Sequence, residues 1–182
     1  MRVTESLKEL RMKKVVICGG KRTPFVKSFG PYKNASNMDL LSHVLKHLVT
    51  EHDLQGKIAG EVALGSVIHH SSDWNLAREA VLNSGLSPDS PGTTLQKACG
   101  TSLETITLVA NKIALGQIEW GIGGGSDTNS DAPIVYSRAF SRKLIQLSQG
   151  SRISRKLLGA LKFRPQDFLP VIPAVKEPRT GL

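Results

Sequence analysis

The stretch Thr93–Asp127, TTLQKACGTSLETITLVANKIALGQIEWGIGGGSD, holds a strand, a helix and a second strand in direct succession. Thr93 to Lys97 is short and β-prone. Thr101 to Leu115 is a strong helical segment closed by Gly116, and Ile118 to Ile122 reads as the next strand, opening into Gly123-Gly124-Gly125-Ser126-Asp127. A strand followed by a crossover helix and another strand is the repeating unit of a sheet with helices packed on its faces.

The same alternation continues upstream. Glu61 to Ile68 (EVALGSVI) reads as a strand with Gly65 inside it, and Asn75 to Ser84 as a helix ending at Gly85. The connection Ser87-Pro88-Asp89-Ser90-Pro91-Gly92 is rich in turn formers. Met38 to Leu54 carries Leu40, Leu41, Val44, Leu45, Leu48 and Val49 as one helical apolar stripe, with Asn37 as N-cap, Asp39 in the first turn and Gly56 as the stop. Val15 to Cys18 is fully apolar and ends at Gly19-Gly20, which predicts a buried strand followed by the loop Lys21-Arg22-Thr23-Pro24. Cys18 is then a core residue. Downstream of Pro133 the pattern changes: Ser137 to Ser148 and Ser151 to Leu161 are basic and helical, while Pro165 to Leu182 holds four prolines and no periodicity. The expected class is α/β.

Composition narrows the reading further. The 182 residues are 40% hydrophobic and 21% charged, ordinary for a soluble globular protein, and only 5% aromatic, so the core should be aliphatic. No apolar run approaches the roughly 20 residues that cross a bilayer. The leader Met1 to Lys14 mixes both charge signs and is a poor secretory or transit signal, so a cytoplasmic protein with two reduced cysteines is the expectation. The net charge of +9 is unevenly placed. Residues 1–137 hold 14 Lys/Arg against 13 Asp/Glu, whereas residues 138–182 hold 10 against 2. Such a tail suits a phosphorylated cofactor, a membrane surface or nucleic acid, and composition alone does not choose.

Cys99 is the residue placed for chemistry. It sits between a strand and the N-terminus of a long helix, where unpaired N–H groups and partial positive charge favour a thiolate. Gly100 permits a sharp turn and close substrate approach, and Ala98, Thr101 and Ser102 leave room around the sulfur. The arrangement resembles the strand-to-helix elbow that exposes a serine nucleophile in hydrolases. Position alone also fits an inert, buried cysteine. His43 and His47 are four apart on a helix but face away from the apolar stripe, with no third ligand, so no metal site is expected. His69 and His70 follow a strand end and are open to a loop reading or to a place beside a pocket. Gly121-Ile122-Gly123-Gly124-Gly125 leads into a polar loop and not a helix, which excludes a dinucleotide-binding turn.

Four segments in order resemble the thiolase family over the whole chain. They are Val15 to Pro24 (VVICGGKRTP), Asn75-Leu76-Ala77-Arg78-Glu79, Ala98-Cys99-Gly100-Thr101-Ser102 with Leu103-Glu104, and Gly123-Gly124-Gly125-Ser126-Asp127 followed by Ser130-Asp131-Ala132-Pro133. One departure is visible: where many thiolases have Cys-Gly-Ser-Gly, this chain has Cys99-Gly100-Thr101-Ser102. That change bears on the shape of the acyl pocket and not on the nucleophile.

The resemblance implies a thiolase-like amino-terminal half with a mixed central sheet and helices on both faces. Residues 1–137 would be the nucleophile-bearing domain and residues 138–182 the start of a basic coenzyme A-binding loop domain. The last strand of the half would follow that loop domain, so the sheet would end on an unpaired edge. It also implies an acyltransferase in which Cys99 is the catalytic nucleophile, with no cofactor beyond coenzyme A thioesters as substrates. The activating histidine and second cysteine would come from a carboxyl-terminal half. Ile113 to Glu119 and Glu177 to Leu182 look most like bacterial acetyl-CoA acetyltransferases, with the long-chain 3-ketoacyl-CoA thiolases of β-oxidation as the alternative. The expected partners are acyl-CoA and further copies of the chain, as a dimer or tetramer in full-length form, without nucleic acid or a membrane span. A non-catalytic fragment or binding scaffold is the non-enzyme reading, because the 182 residues alone hold one nucleophile and no second cysteine motif.

Overall fold

The computed structural model describes residues 12–149 and 163–171. The chain divides into two compact units, the first ending at Ala132 and the second beginning at Pro133. In the first unit the order is α1 (Asn37–Glu51), β1 (Glu61–Gly65), α2 (Leu76–Ser84), β2 (Gly92–Leu95), α3 (Thr101–Ala114) and β3 (Gly121–Gly125). The strands form one sheet in the order β2-β1-β3. Both pairings are parallel, with Val62 opposite Gly92 and Ile122. Among the described residues the sheet is therefore wholly parallel, not mixed.

Alternation along the strands sends successive side chains to opposite faces. Val62, Leu64 and Ile122 share one face, and they pack with Leu41, Leu45 and Val49 of α1 and Leu76, Ala77, Ala80 and Val81 of α2. This is the aliphatic core that the composition predicts. Val49, Val62 and Val81 are fully enclosed, and burying each is worth about 1.5–3 kcal/mol. The opposite face takes α3. There Gly121, Gly123 and Gly125 lie directly under the helix: a Cβ at Gly123 would sit 2.7 Å from Ile106 Cα, one at Gly121 2.9 Å from Val109 Cγ1, and one at Gly125 2.7 Å from Ser102 Oγ. Helices thus cover both faces, and α3 rests on bare strand backbone.

The ends of the elements follow side-chain chemistry. Ser36, and not Asn37, caps α1: Ser36 Oγ accepts from Asp39 N while the Asp39 carboxylate accepts from Ser36 N, a reciprocal capping box. Asn37 is already inside the helix and buried, bonding across to β1. Asn75 caps α2, which stops at Gly85 in a left-handed conformation, and Gly116 at φ 71° follows α3. The third strand forms three residues later than its apolar signal suggests, on Gly121–Gly125, because the helix demands the side-chain-free face.

The largest departure is at the start. Val15 to Cys18 forms no strand; Val16 is 75% and Ile17 81% exposed, and Cys18 is exposed as well. Both edges of β1 are taken by β2 and β3, and the outer edge of β3 has no strand partner among the described residues. The segment is held instead at helix ends. Lys13 N donates to Ala114 O at the close of α3, Gly19 abuts the His52 ring beyond α1, and Lys21 pairs with Glu51 at 2.5 Å. An apolar run signals a strand but cannot supply its hydrogen-bonding neighbour.

The second unit contains α4 (Arg138–Ser148), capped by Ser137, a 3-10 turn at Pro165–Phe168, and a bridge between Val135 and Val171. Phe140 meets Phe163 and Phe168 edge to face at 5.5 and 5.2 Å, and those two rings lie tilted against each other at 5.9 Å, an aromatic nucleus unlike the aliphatic first unit. The helix expected over Ser151 to Leu161 lies outside the described residues.

Replacing Gly123 with Ala should force α3 off the sheet. The clash is with helix backbone, which has no flexible end to move, so a loss of about 1–3 kcal/mol is expected. A thermal melt followed by circular dichroism should show Tm falling by roughly 2–4 °C per kcal/mol for a chain of this size. Asp39 gives a second, pH-dependent test. Hydrogen bonds from the Ser36 amide and then its hydroxyl hold the Asp39 carboxyl below its ordinary value of 3.8. The folded value is the lower one, so the stabilisation is present above the unfolded value and lost as pH falls through the folded one. Asp39→Asn should melt earlier than the parent at neutral pH, and the gap should close in acid. A gap that persists unchanged into strong acid would contradict the capping role.

Candidate active site

The carboxyl ends of parallel strands are where α/β sheets place their chemistry, since the loops leaving them meet the N-termini of the following helices. Here β1, β3 and the β2–α3 turn converge at that end. Asp127, just beyond β3, accepts from Val67 N at 2.8 Å, from Ile68 N at 3.0 Å and from Ser66 Oγ at 3.2 Å. Asn37 Nδ2 donates to Ser66 Oγ at 2.9 Å and to Ile68 O at 2.7 Å. One carboxylate and one amide thus tie the exits of β1 and β3 to the first turn of α1. Asn37 Oδ1 is buried without a partner among the described residues.

The segment Asn75-Leu76-Ala77-Arg78 fixes β2 in the same way. Asn75 Oδ1 accepts from Arg78 N at 3.0 Å and from Thr94 Oγ1 at 2.6 Å, while its Nδ2 donates to Gly92 O at 2.9 Å. The Arg78 guanidinium donates to Pro88 O and to Ser90 O, closing the turn that enters β2. These side chains clamp α2 onto β2. They hold the strand that delivers the cysteine and do not reach the cysteine themselves.

Cys99 stands in the turn Gln96–Gly100 between β2 and α3, with its side chain exposed. Ala98, immediately before it, adopts φ 43°, a left-handed conformation costly for any residue with a Cβ. Gly100 N donates to Lys97 O at 3.0 Å and Thr101 N to Ala98 O at 3.2 Å, so the turn closes twice on itself. Gly100 is the N-cap of α3 and contributes no side-chain cap. The Cys99 N–H makes no hydrogen bond to the described residues. Lys97 pairs with Glu104 across the first turn of the helix. The sulfur therefore lies exposed at an uncapped helix N-terminus, where negative charge is favoured.

The other candidates sort differently. Cys18 is also an exposed thiol, but no helix begins beside it. His69 and His70, with Trp74, Thr94, Leu95 and Gln96, line an open cleft of about 480 Å³ that Cys99 does not line. His70 Nε2 lies 2.6 Å from Asp131 O and 3.1 Å from its carboxylate, which fixes the ring. His43 and His47 stack on each other at 4.4 Å, with His47 Nδ1 3.0 Å from the His43 carbonyl. In the second unit, Arg138 and Arg142 are exposed one helical turn apart, whereas Lys143 is engaged by Asp167 at 2.5 Å. That contact, more than the Arg164 amide, holds the Asp167 carboxyl below its ordinary range. Sequence reasoning missed the Asn37–Ser66–Asp127 tie and the left-handed Ala98. The Ser-x-x-Asp spacing at Ser36 was the signal that Asn37 was not the cap.

Residues 15–158 match the family model described as thiolase, N-terminal domain. Over 93% of its length the chain is 37% identical to a 3-ketoacyl-CoA thiolase of Photorhabdus laumondii and 34% identical to one of Yersinia pestis. It spans only 39% of each of those relatives. The crystal structure of the Bacillus anthracis acetyl-CoA acetyltransferase superposes with a TM-score of 0.67 at 28% identity, covering 80% of this chain and 35% of that one.

Removing the Asp127 carboxylate should loosen the strand exits without touching the core. Asp127→Ala strips two amides and one hydroxyl of a charged acceptor. Because Asp127 and its bonds to both amides are exposed, water can replace part of each bond, and the loss per bond should fall below the roughly 1.5–3 kcal/mol of a bond to a charged group. Amide hydrogen exchange at Val67 and Ile68 should accelerate well before that of β1 itself. Unchanged exchange at both amides would show that the carboxylate is not what holds this end.

Proposed function

The chain belongs to the thiolase family, and from that premise we propose that it carries the nucleophilic half of an acyl-CoA acyltransferase, with Cys99 as the acylated residue. The observation that carries the proposal is the placement of Cys99: exposed, at the uncapped N-terminus of a 14-residue helix, at the carboxyl end of a parallel sheet. The Cys99 thiolate attacks the thioester carbonyl of acyl-CoA. A carbon–sulfur bond forms to Cys99 as the bond to coenzyme A breaks, and coenzyme A leaves as a thiol after taking up a proton. The oxyanion of the tetrahedral intermediate develops beside the Cys99 N–H, which is unengaged by the described residues and supports a role as one donor. A second acyl-CoA loses its α-proton, and the resulting carbanion attacks the acyl-cysteine carbonyl in a Claisen condensation. The carbon–carbon bond forms as the bond to Cys99 breaks and its thiolate is released, and thiolysis is the same path reversed.

Two acyl classes compete. The sequence resemblance favours acetyl-CoA, in agreement with the activity named for the Bacillus anthracis neighbour. The names of the curated relatives, at 34–37% identity, favour 3-ketoacyl-CoA thiolysis. Both readings use the same acyl-cysteine and differ in pocket length. The exposed Arg138 and Arg142 give coenzyme A phosphates a paired basic site on one helix face, and acyl-CoA is the partner proposed for the basic unit in place of nucleic acid. Assembly with further copies of the chain and a cytoplasmic setting complete the proposal.

The full chain, its Cys99→Ala variant and its Cys18→Ala variant should each be incubated with acetyl-CoA and with a longer 3-ketoacyl-CoA, and peptides mapped by mass. An acyl adduct on the Cys99 peptide that persists in Cys18→Ala and vanishes in Cys99→Ala is expected. Both thiols are exposed, so a neutral alkylating reagent should reach both, whereas acylation should select Cys99. Acylation of Cys18 instead, or of neither cysteine under conditions that acylate a full-length relative, would remove the basis of the proposal.

A further inference from the structure

We infer that Thr101 is the positioning residue for Cys99: its hydroxyl holds the left-handed turn at Ala98, and its methyl group is locked in place by the missing side chain of Gly65. The inference rests on the proposed role of Cys99 and adds to it the device that aims the thiol.

The turn needs such a device. A residue with a Cβ held at φ 43° costs roughly 1–2 kcal/mol, and it persists only where its surroundings impose it. Thr101 Oγ1 accepts from Lys97 N at 2.8 Å and donates to Ala98 O at 2.8 Å. One hydroxyl thus spends both its donor and its acceptor on the backbone either side of the strained residue. Ala98 O also accepts from Thr101 N, so Thr101 alone fixes the direction of the carbonyl that leads into Cys99. No other side chain among the described residues bonds this turn's backbone between Lys97 and Gly100.

The methyl group adds a second restraint on that hydroxyl. Thr101 is 4% exposed, and its Cγ2 fits against Gly65, where an added Cβ would lie 2.4 Å from that methyl and 2.1 Å from Leu95 O. A β-branched side chain with its methyl seated has one χ1 left, and that χ1 points Oγ1 at the turn. Serine in the same place would keep both hydrogen bonds, which hold the hydroxyl, and lose only the restraint that the methyl adds. This gives the Thr101 of the Cys-Gly-Thr-Ser run a physical meaning: the methyl exchanges rotational freedom for aim. Through Gly65 it also couples the turn to β1, and through β1 to the Asp127 tie.

The test compares Thr101→Val, which keeps the shape and loses the hydroxyl, with Thr101→Ser, which keeps the hydroxyl. In the full chain, the first-order rate of Cys99 acylation at saturating acyl-CoA should fall about tenfold in Thr101→Val, the scale of one or two lost neutral hydrogen bonds. The half-saturating concentration should stay near the parent's, and Thr101→Ser should retain most of the rate. A Thr101→Val chain that acylates at the parental rate, or a Thr101→Ser chain as slow as Thr101→Val, would overturn the inference. If Thr101→Val gives no cooperative melt, the comparison passes to Thr101→Ser against Thr101→Ala. A slowed Ala variant beside a retained Ser variant supports the hydroxyl, and equal rates overturn it. Alkylation of Cys99 by iodoacetamide, read in the same variants, separates this inference from the one beneath it. Parental Cys99 that alkylates but never acylates removes the acyltransferase reading, while the Val-to-Ser difference in alkylation still reports on the turn.

Discussion

The close seating of α3 on the glycine face of β3 is the contact on which the rest of the structure depends. Three glycines at alternate positions remove every side chain between helix and strand, and Val109, Ile106 and Ser102 drop onto them in turn. The spacing of one strand residue pair to about one helical turn sets the helix antiparallel to the strand and fixes its height. Its N-terminus is thereby carried to the carboxyl end of the sheet. Were any of the three glycines larger, the helix would rise by the thickness of a methyl group, and Cys99 would move with it.

A second layer of polar contacts converts that packing into a defined turn. Asp127 and Asn37 join the exits of β1 and β3, Asn75 and Arg78 hold β2 against α2, and Thr101 seats its methyl on Gly65 and its hydroxyl on the turn. These bonds are local in space and distant in sequence: Asp127 reaches back 60 residues to Val67. Each is modest alone. Together they set the geometry of a strained turn, which dispersion forces between aliphatic side chains could not do, because those forces have no direction.

The family motifs divide along the same line. Asn75 and Arg78 build the scaffold, Asp127 ties it, and Cys99 meets solvent at a helix N-terminus. Val15 to Pro24 has a less evident place. Its apolar residues are exposed and its contacts are to the end of α1, while Lys13 just before it bonds to the end of α3. A run of β-branched residues is compatible with a strand, yet strand formation is a property of a pair, and this segment pairs with no strand among the described residues.

The sequence by itself determined the elements and their order. The apolar stripe of α1, the stop of α2 at Gly85, the helix after Cys99 and the α/β alternation follow from periodicities and stop signals confined to a few neighbouring residues. Cys99 was legible for the same reason, since a cysteine at a strand–helix junction is a local pattern. Tertiary structure alone decided the rest. The third strand settled on its glycines and not on the apolar residues before them, because a helix had to lie there. Asn37 left the cap for Ser66, Cys18 was exposed, and Ala98 took a left-handed turn stabilised by Thr101. Each of those outcomes depends on an atom brought close by folding, and no pattern within one segment specifies which atom that will be.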